Sequence, residues 1–507
     1  MAGRSSETEV LIAGAGPTGL VLALWLTQLG VRVKLIDKAP QAGTTSRALA
    51  VQARTLEFYQ QVGLSQAIVD RGHRVSAINL WVKGTGTARV PLGNLGEGVT
   101  PFAFPMIFPQ DEHERLLISR LQELGVEVER PVELIGFEEA GGQIRATLSA
   151  AGSHETCISS YLAGCDGARS KVREVLNTDF PGGTYHHLFY VADVEAAGPP
   201  VNGELHVDLE DSDFLAVFPL ADTGHARLIG TVRDTIAKDH EPLEFGDVSE
   251  RAMQNLGVNI KQVNWFSTYR VHHRVANSFR RGRTFLLGDA AHIHSPVGGQ
   301  GMNTGIGDSV NLAWKLAASL KDPSSAGLLE SYEPERIAFA RRLAATTDRA
   351  FKAVVNPGAM ARWLRTKVIP AVAPSLFRIP SVRRAAFRTV SQTAVNYRGS
   401  PLSCGVAGKV HGGDRLPWVG VNFAPLSSLD WQIHVYGGAG AALEALSQRH
   451  RIPLHVFPWQ ASMEAAGLKR NAVYLVRPDG YVALASTEGG DGGIAAYLAE
   501  KRIKALR

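Results

Sequence analysis

The sequence predicts an α/β fold whose first domain is interrupted by an antiparallel sheet and followed by two further segments. Three observations support this prediction. Strand–glycine–helix patterns lie near both ends of the first 330 residues, alternating strands fill the middle, and a second strand–helix pattern follows Gly399. A chain of 507 residues is long enough for two or three domains with sizeable cores.

The first pattern is a buried strand at Val10–Ala13, a glycine-rich turn and a helix that runs to Gln28. The glycines have the spacing of a dinucleotide-binding turn: Gly14, Gly16 and Gly19. The first suits a tight turn, the second admits a pyrophosphate, and the third lets helix and strand approach closely. A second strand, Val31–Ile36, ends at Asp37, where a carboxylate can bind an adenosine ribose. This stretch predicts a Rossmann-like dinucleotide site without saying which dinucleotide it binds.

The second pattern is a strand at Thr284–Leu287, the pair Gly288-Asp289, a loop and an amphipathic helix. The loop contains three glycines: Gly298, Gly299 and Gly301. A loop that leads into a helix N-terminus presents unpaired N–H groups and suits an anion, whereas Asp289 would accept hydrogen bonds from a polyol. Flavin has both a polyol arm and a ring that becomes anionic on reduction. Taken alone, the stretch is equally compatible with an ordinary strand-to-helix turn.

Composition excludes several classes of protein. The three cysteines, Cys157, Cys165 and Cys404, lack metal-ligand spacing and offer no disulfide framework, which indicates a reducing, cytoplasmic setting and no metal site. The sequence has no run of about 18 apolar residues, so it predicts no transmembrane segment. The net charge of +5 is modest, and we expect no nucleic-acid partner.

Between residues 185 and 271 the pattern changes to alternating strands joined by glycine and acidic turns, which predicts an antiparallel sheet. Four aromatic side chains are candidates to line a pocket for a flat substrate, although each taken singly is more typical of a core: Tyr190, Phe214, Phe218 and Tyr269. His272 and His273 follow. Adjacent strand residues point to opposite faces, so at most one of them can reach a site, and no acid–base residue is assigned.

Two further motifs make the pattern specific: Ser46-Arg47-Ala48, and the hexapeptide Cys165-Asp166-Gly167-Ala168-Arg169-Ser170. Together with the two glycine patterns they resemble the class A flavoprotein aromatic hydroxylases, the family of para-hydroxybenzoate hydroxylase, phenol hydroxylase and the aromatic-polyketide hydroxylases. The resemblance extends from Val10 to about Arg398 and is weaker beyond.

The resemblance implies that FAD is the cofactor. It implies Asp37 at the adenosine ribose and Arg47 near the pyrophosphate. It also implies Gln110 at the middle of the cofactor and Asp289 at its ribityl side. The expected cofactor-binding residues, which include backbone groups facing the isoalloxazine, are Gly14, Ala15, Gly16, Pro17, Thr18, Gly19, Asp37, Lys38, Arg47, Gln110, Asp166, Asp289, Pro296, Gly299, Gly301, Met302 and Asn303.

Two of these assignments have a purely structural alternative. Gln110 could be a polar residue at a helix start beside Asp111 as the N-cap. Asp166 and Gly167 belong to a motif that, by the resemblance, serves both FAD and NAD(P)H, but they could equally form a strand-to-turn pair that holds Arg169.

The resemblance further implies hydroxylation of a phenolic or polycyclic aromatic substrate by O2, through a flavin C4a-hydroperoxide. The sequence has no second dinucleotide fingerprint, so NADPH or NADH would be a transient reductant. A flavin oxidoreductase, a Baeyer–Villiger oxygenase and a flavin halogenase share much of the fold, but the Trp-x-Trp-x-x-Pro segment of tryptophan-type halogenases is absent. A non-catalytic dinucleotide-binding protein is the remaining alternative class, and a homodimer is usual in the family.

The remaining segments complete the predicted organisation. Helices should run from Ser331 to about Gln392, and the acid-free stretch 350–398 carries nine Lys and Arg residues, which favours packing within the protein or a subunit contact. Residues 399–507 resemble the thioredoxin-like tail of some phenol-type hydroxylases, but Val435-Tyr436-Gly437-Gly438 stands where Cys-x-x-Cys is required. The sequence thus predicts four domains or segments. These are an FAD-binding domain at 1–180 with 272–330, a substrate-binding domain at 181–271, a helical segment at 331–398 and a C-terminal domain at 399–507.

Overall fold

The computed structural model describes residues 4–44, 48–93, 95–150, 152–209, 214–220, 224–232, 243–248, 250–295, 298–355, 358–487 and 492–506. Within these ranges, no helix is both long and apolar enough to cross a membrane. Three large sheets organise the described chain. A small sheet joins Ala50–Val51, Met106–Ile107 and His73–Arg74.

The first sheet carries the dinucleotide pattern. Its strand order is Arg280–Arg281, Thr284–Leu286, Ser153–Gly164, Arg4–Ala13, Val33–Ile36 and Val128–Glu129. All neighbours after the first pair are parallel, as expected for strands covered by helices on their faces. Gln143–Ala150 pairs antiparallel with both Ser153–Gly164 and Val132–Ala140. Two helices that we call the N-terminal helix, Pro17–Gln28, and the loop helix, Gly301–Lys321, pack against each other and are buried along most of their lengths.

The second sheet is larger than the sequence predicts. Its strand order is His292–Ile293, Asn259–Val275, Gly182–Ala197, His225–Val232, Leu215–Pro219, Leu205–Asp208, Ala77–Val82 and Thr85–Pro91. The last two strands lie outside the predicted bounds 181–271, and Leu205–Asp208 pairs with Ala77–Val82 in parallel, so the sheet is mixed. The strand His292–Ile293 joins this sheet directly to the glycine loop that follows it.

The third sheet belongs to the C-terminal segment. Its strand order is Val410–His411, Cys404–Ala407, Val482–Ser486, Val473–Val476, Gln432–Tyr436 and Leu454–Phe457. The remaining helices of the described chain are Ala53–Gln61, Ser65–Arg71, Gln110–Glu123, Lys171–Val175, Glu250–Leu256, Tyr332–Val355, Ala359–Trp363, Ile369–Leu376, Pro380–Val390, Ala441–His450, Ala461–Ala465 and Gly492–Glu500.

The sequence predicts that Pro370, Pro374 and Pro380 break the second half of the helical segment into short pieces. The pieces are short, but Pro374 lies inside the helix Ile369–Leu376 and does not end it. A π-helical turn at Leu364–Val368 precedes that helix. Pro380 opens the next helix, where its missing N–H removes no hydrogen bond.

A buried charge cluster fastens the third sheet to the loop helix. Lys315 Nζ lies 2.8 Å from Glu335 Oε2, and Arg477 Nη1 lies 2.7 Å from Glu335 Oε1, with all three side chains fully buried. Arg477 also pairs with Asp479 at 2.6 Å, and the indole of Trp314 donates to Asp479 Oδ2. Burial opposes ionisation of Glu335, but Arg477 and Lys315 outweigh it and hold the pKa of Glu335 well below its usual range. The C-terminal segment is therefore part of the support of the loop helix.

Candidate functional site

The sequence motifs meet at one edge of the first sheet. Four neighbouring parallel strands end there: Thr284–Leu286, Ser153–Gly164, Arg4–Ala13 and Val33–Ile36. Their carboxyl ends lead respectively into Gly288-Asp289, Cys165-Asp166, the Gly14 turn and Asp37. The carboxyl edge of a parallel sheet is where α/β proteins place their ligands.

The glycines of the first turn differ in what surrounds them. Gly14 has a φ of +102°, and a side chain there would overlap the Cys165 carbonyl. A side chain at Gly19 would overlap the Gly14 carbonyl oxygen, because helix and strand pack closely at that point. No described atom lies within 4 Å of the methyl group that Gly16 lacks. Packing therefore explains Gly14 and Gly19, whereas the space beside Gly16 suits a ligand.

The two glycine patterns converge through Thr18. A methyl group on Gly288 would lie 2.6 Å from Thr18 Oγ1, and a methyl group on Gly305 would overlap the same oxygen. Ser309 Oγ donates to the Thr18 carbonyl at 2.7 Å. The N-terminal helix begins beside Thr18 and the loop helix begins one turn before Gly305, and in the described structure neither helix has a side-chain N-cap. Their first N–H groups and dipoles are thus available to an anionic or polar ligand.

Asp37 is held by three donors at the end of its strand. Its Oδ2 accepts from the Ala15 N–H at 2.7 Å, and its Oδ1 accepts from the Ala39 N–H at 2.8 Å. Arg130 Nη1 lies 3.0 Å from Oδ1. A carboxylate offers about four acceptor sites, so one remains for a ribose hydroxyl. Lys38 is exposed beside this group.

Arg130 is a site residue that the sequence reasoning missed. It directly follows the strand Val128–Glu129, which pairs with Val33–Ile36, and its guanidinium also contacts the carbonyls of Ala39 and Gln41. Its position places a planar cation beside the Gly14 turn, where a pyrophosphate needs one. In the sequence, Arg130 is distinguished only as an arginine, in addition to Arg47, that directly follows a short strand.

Gln110 is the first residue of the helix Gln110–Glu123, with Pro109 and not Asp111 at the N-cap. Its N–H donates to the Ala48 carbonyl at 3.0 Å, and its Nε2 donates to Glu114 Oε1 at 2.8 Å. Burial raises the pKa of Glu114, which Gln110 and Arg130 partly oppose. The structure thus places Gln110 beside Ala48 and Glu114, and the charges of Asp37 and Arg130 act on Glu114.

Asp289 is exposed at the start of the second pattern, whereas its neighbours Gly288 and Ala290 are buried. The surrounding protein nevertheless desolvates its carboxyl group and raises its pKa. Behind it, Asp308 is fully buried and accepts from the Gly288 N–H at 3.0 Å, from His292 Nε2 at 2.7 Å and from Arg336 Nε at 2.5 Å. Asp308 holds the turn in place, which leaves Asp289 free to meet a ligand.

The side chain of Asn303 is fully hydrogen-bonded within the protein, so only its backbone groups remain for a ligand. Its Oδ1 accepts from the Gln52 N–H and from Thr55 Oγ1, and its Nδ2 donates to the carbonyls of Ala50 and Gly299. Gly301 and Met302 are half-buried at the start of the loop helix. The structure is consistent with the expectation that backbone groups here face a ring, while the Asn303 side chain pins the glycine loop.

Asp166 lies against the Gly14 turn. Its Oδ2 accepts from the Val172 N–H at 3.1 Å, whereas its buried Oδ1 has no hydrogen-bond partner among the described residues. A buried unpaired acceptor is uncommon and indicates a missing donor. Arg47 and Pro296 lie outside the described residues.

The second sheet has two distinct faces. Tyr190 packs into a core with the helix Glu250–Leu256, and the missing side chain of Gly230 makes room for its ring, so it takes the core position that the sequence also favours for each of these aromatics singly. Phe218 lies on the opposite face and packs near Leu49 and Ala53. Phe214 and Tyr269 pack with Tyr185, Phe189 and Val271 in a separate aromatic group. Successive residues of a strand point to opposite faces of the sheet, so a shift of one residue moves a side chain from the core face to the face that carries Phe218.

His272 and His273 diverge as expected for adjacent strand residues. His272 Nδ1 lies 2.7 Å from Thr184 Oγ1, whereas the ring of His273 lies 4.8 Å from that of Tyr185. Neither contact identifies an acid–base pair.

The site fits FAD. It combines a bare glycine turn, a carboxylate with an acceptor site to spare, a nearby cation, an exposed Asp289 and a second uncapped helix. The second sheet reaches the same region through its edge strand His292–Ile293, and its Phe218 packs near Leu49 and Ala53. This combination defines a flavoprotein of the dinucleotide-binding type with an added substrate sheet.

Comparisons with known proteins agree. The family profile described as "FAD binding domain" matches residues 7–347, so the chain belongs to that family and is an FAD-dependent aromatic monooxygenase. It is 33% identical to 6-methylpretetramide 4-monooxygenase of Streptomyces rimosus, over 97% of this chain and 93% of the relative. The structure of OxyS anhydrotetracycline hydroxylase from Streptomyces rimosus matches with a TM-score of 0.79 at 28% identity, over 97% and 98% of the two chains. That of CabE, an aromatic hydroxylase from angucycline biosynthesis, matches at 0.78 and 26%, over 98% and 99%.

Proposed function

We propose that this monooxygenase hydroxylates a polycyclic aromatic substrate of the polyketide type, with FAD as cofactor and NADPH or NADH as reductant. The observation that carries the proposal is the set of aromatic side chains on the second sheet, Phe218 near Leu49 and Ala53 and the group around Phe189, in a sheet whose edge strand His292–Ile293 leads to the glycine loop. Relatives named for pretetramide, anhydrotetracycline and angucycline chemistry support a substrate of several fused rings.

The proposed cofactor contacts follow from the geometry. Asp37 and Arg130 hold the adenosine ribose and the pyrophosphate, and the N-terminal helix directs its first N–H groups toward the phosphates. Asp289 accepts from the ribityl hydroxyls. The start of the loop helix lies beside the isoalloxazine, where its partial positive charge contributes about 1 kcal/mol toward an anionic ring. Once bound, FAD supplies the activation of O2.

The protein's own tasks in the reaction are to orient the substrate ring and to exclude water. The substrate lies between the face that carries Phe218 and the glycine loop, next to Leu49 and Ala53. Aliphatic and aromatic walls at that position keep water away from the reacting ring and limit unproductive release of peroxide.

The reductant is proposed to approach from the Asp166 side. A polar cavity of about 370 Å³ adjoins that turn and is lined by Arg169, Ser170, Arg173, Glu174, Asn177, Thr178 and Asp179. Arg173 donates to the Ala290 carbonyl at 2.8 Å, which connects this cavity to the turn that carries Asp289. The C-terminal segment is proposed to be a thioredoxin-like fold with a structural role, since it has no redox cysteine pair.

The test is a screen of the purified yellow protein with fused-ring phenols and single-ring phenols, each with NADPH and with NADH. We expect fused-ring substrates to accelerate nicotinamide oxidation and to yield products that gain one oxygen atom on an intact ring system. Faster turnover of single-ring phenols would contradict the substrate assignment. Ring-expanded lactones would identify a Baeyer–Villiger oxygenase, and hydrogen peroxide as the sole product from every substrate would identify an oxidase.

A further inference from the structure

We propose that Arg227 is a substrate-binding residue that donates a hydrogen bond to a ring-conjugated oxygen of the aromatic substrate. This inference rests on the proposed function. Arg227 lies in the strand His225–Val232 and is directly opposite Phe218 on the neighbouring strand. Opposite residues of an antiparallel pair share a face, so Arg227 lies on the same face as Phe218, which packs near Leu49 and Ala53.

Arg227 is buried, but only some of its hydrogen-bond donors have partners. The residue is 1% exposed. Its Nε and Nη2 donate to Asp193 Oδ1 and Oδ2 at 2.6 and 2.7 Å, in a two-pronged ion pair. Its Nη1 is buried and has no hydrogen-bond partner in the described part of the chain. Leaving a charged donor buried without a partner is costly, so such groups generally have a ligand or a water molecule as partner in the working protein.

The surroundings of Arg227 determine which kind of ligand group can accept a hydrogen bond from its Nη1. Asp193 neutralises most of its charge, so the open donor favours an oxygen acceptor over a second full anion. The ring of Trp265 lies 5.7 Å from Arg227 Cζ, and the ring of Phe218 lies on the same face. A flat conjugated ligand with a carbonyl oxygen satisfies both the donor and these aromatic surfaces.

The assignment predicts selectivity between two ligands that differ only in such oxygens. The probes are 2-hydroxyanthraquinone and 2-hydroxyanthracene, which share a fused three-ring skeleton, and the readout is the dissociation constant from quenching of probe fluorescence or from flavin absorbance changes. The FAD-loaded protein should bind the quinone about tenfold or more tightly than the hydrocarbon analogue, because a built hydrogen-bonding site rejects a ligand that leaves it unpaired.

Arg227→Met should remove that preference while leaving binding of 2-hydroxyanthracene within about twofold of wild type. Because Arg227→Met leaves Asp193 unpaired, the double variant Asp193→Asn/Arg227→Met provides a second form without the unpaired charge. Arg145→Met, which removes an exposed arginine from the first sheet, is the matched control and should keep the preference. Flavin content and melting temperature verify folding.

The outcomes separate this inference from the proposed function. Loss of the quinone preference in either Arg227 variant, with the control unchanged, supports the assignment. A wild-type protein that hydroxylates fused-ring phenols but shows the same preference after Arg227→Met overturns the assignment and leaves the function intact. Failure of the wild-type protein to hydroxylate any aromatic probe, while Arg227→Met still abolishes the binding preference, overturns the function and not the role of Arg227.

Discussion

Replacing Gly305 by alanine tests whether the N-terminal helix and the loop helix must touch for the cofactor site to form. The new methyl group would overlap Thr18 Oγ1 and lie 3.1 Å from Gly288 Cα. Overpacking of this kind costs about 1–3 kcal/mol, whereas alanine inside a helix is about 1 kcal/mol better than glycine. We therefore expect a net loss of up to about 2 kcal/mol, which appears as a lower melting temperature and weaker FAD binding.

The double variant Thr18→Ala/Gly305→Ala tests whether overlap with Thr18 causes the loss of stability and of FAD affinity in Gly305→Ala. Removing the threonine hydroxyl and methyl relieves the overlap, so the two substitutions should couple by about 1–3 kcal/mol, and the double variant should regain most of the FAD affinity. Dissociation constants from flavin fluorescence and melting temperatures are measured for all four proteins. Gly327→Ala is the control, because no described atom lies within 4 Å of the added methyl. Wild-type FAD affinity in Gly305→Ala, or no recovery in the double variant, would refute the convergence of the two patterns through Thr18.

Three further predictions follow from the same geometry. Gly16→Ala should leave the melting temperature of the FAD-free protein unchanged but weaken FAD binding at least tenfold, whereas Gly19→Ala should destabilise the FAD-free protein; equal effects on both quantities would contradict the two roles. Asp289→Ala should lower the flavin-to-protein ratio after gel filtration, and full retention with unchanged affinity would exclude its ribityl role. Glu335→Gln should cost about 3–5 kcal/mol in denaturant unfolding at pH 7, against less than about 0.5 kcal/mol for the exposed control Glu138→Gln. Because the folded protein lowers the pKa of Glu335 from 4.5, its contribution is present above that pH and is lost as the pH falls, so the difference between wild type and Glu335→Gln should shrink in acid.

The parts of the site that depend on local backbone geometry could be predicted from the sequence. The need for a bare turn at Gly14, for close packing at Gly19 and for a carboxylate after the second strand follows from residues that are neighbours in the chain. FAD and the aromatic monooxygenase activity were predicted from the combination of these motifs, and the family match confirms them. The individual contact residues stay predictions.

The parts that depend on long-range pairing could not be predicted. Arg130 reaches Asp37 only because the strand Val128–Glu129 joins the edge of the first sheet. The strands Ala77–Val82 and Thr85–Pro91 are predicted as part of the first domain, because the sequence does not show that Ala77–Val82 pairs with Leu205–Asp208 and that Thr85–Pro91 then pairs with Ala77–Val82. Tyr190 could not be separated from Phe218 as core or pocket, because the sequence does not show which alternate residues of a strand are covered by the helix Glu250–Leu256.

The arginine that completes the buried charge cluster is made late. Arg477 lies 142 residues after Glu335, whose carboxylate it neutralises. Asp479, which accepts a hydrogen bond from the Trp314 indole, comes still later in the chain. While the nascent chain is on the ribosome, the loop helix therefore lacks both partners until almost the whole protein has been translated. We therefore expect the loop helix to reach its final stability only late in synthesis, and a fragment ending before the third sheet to retain less flavin than the full chain.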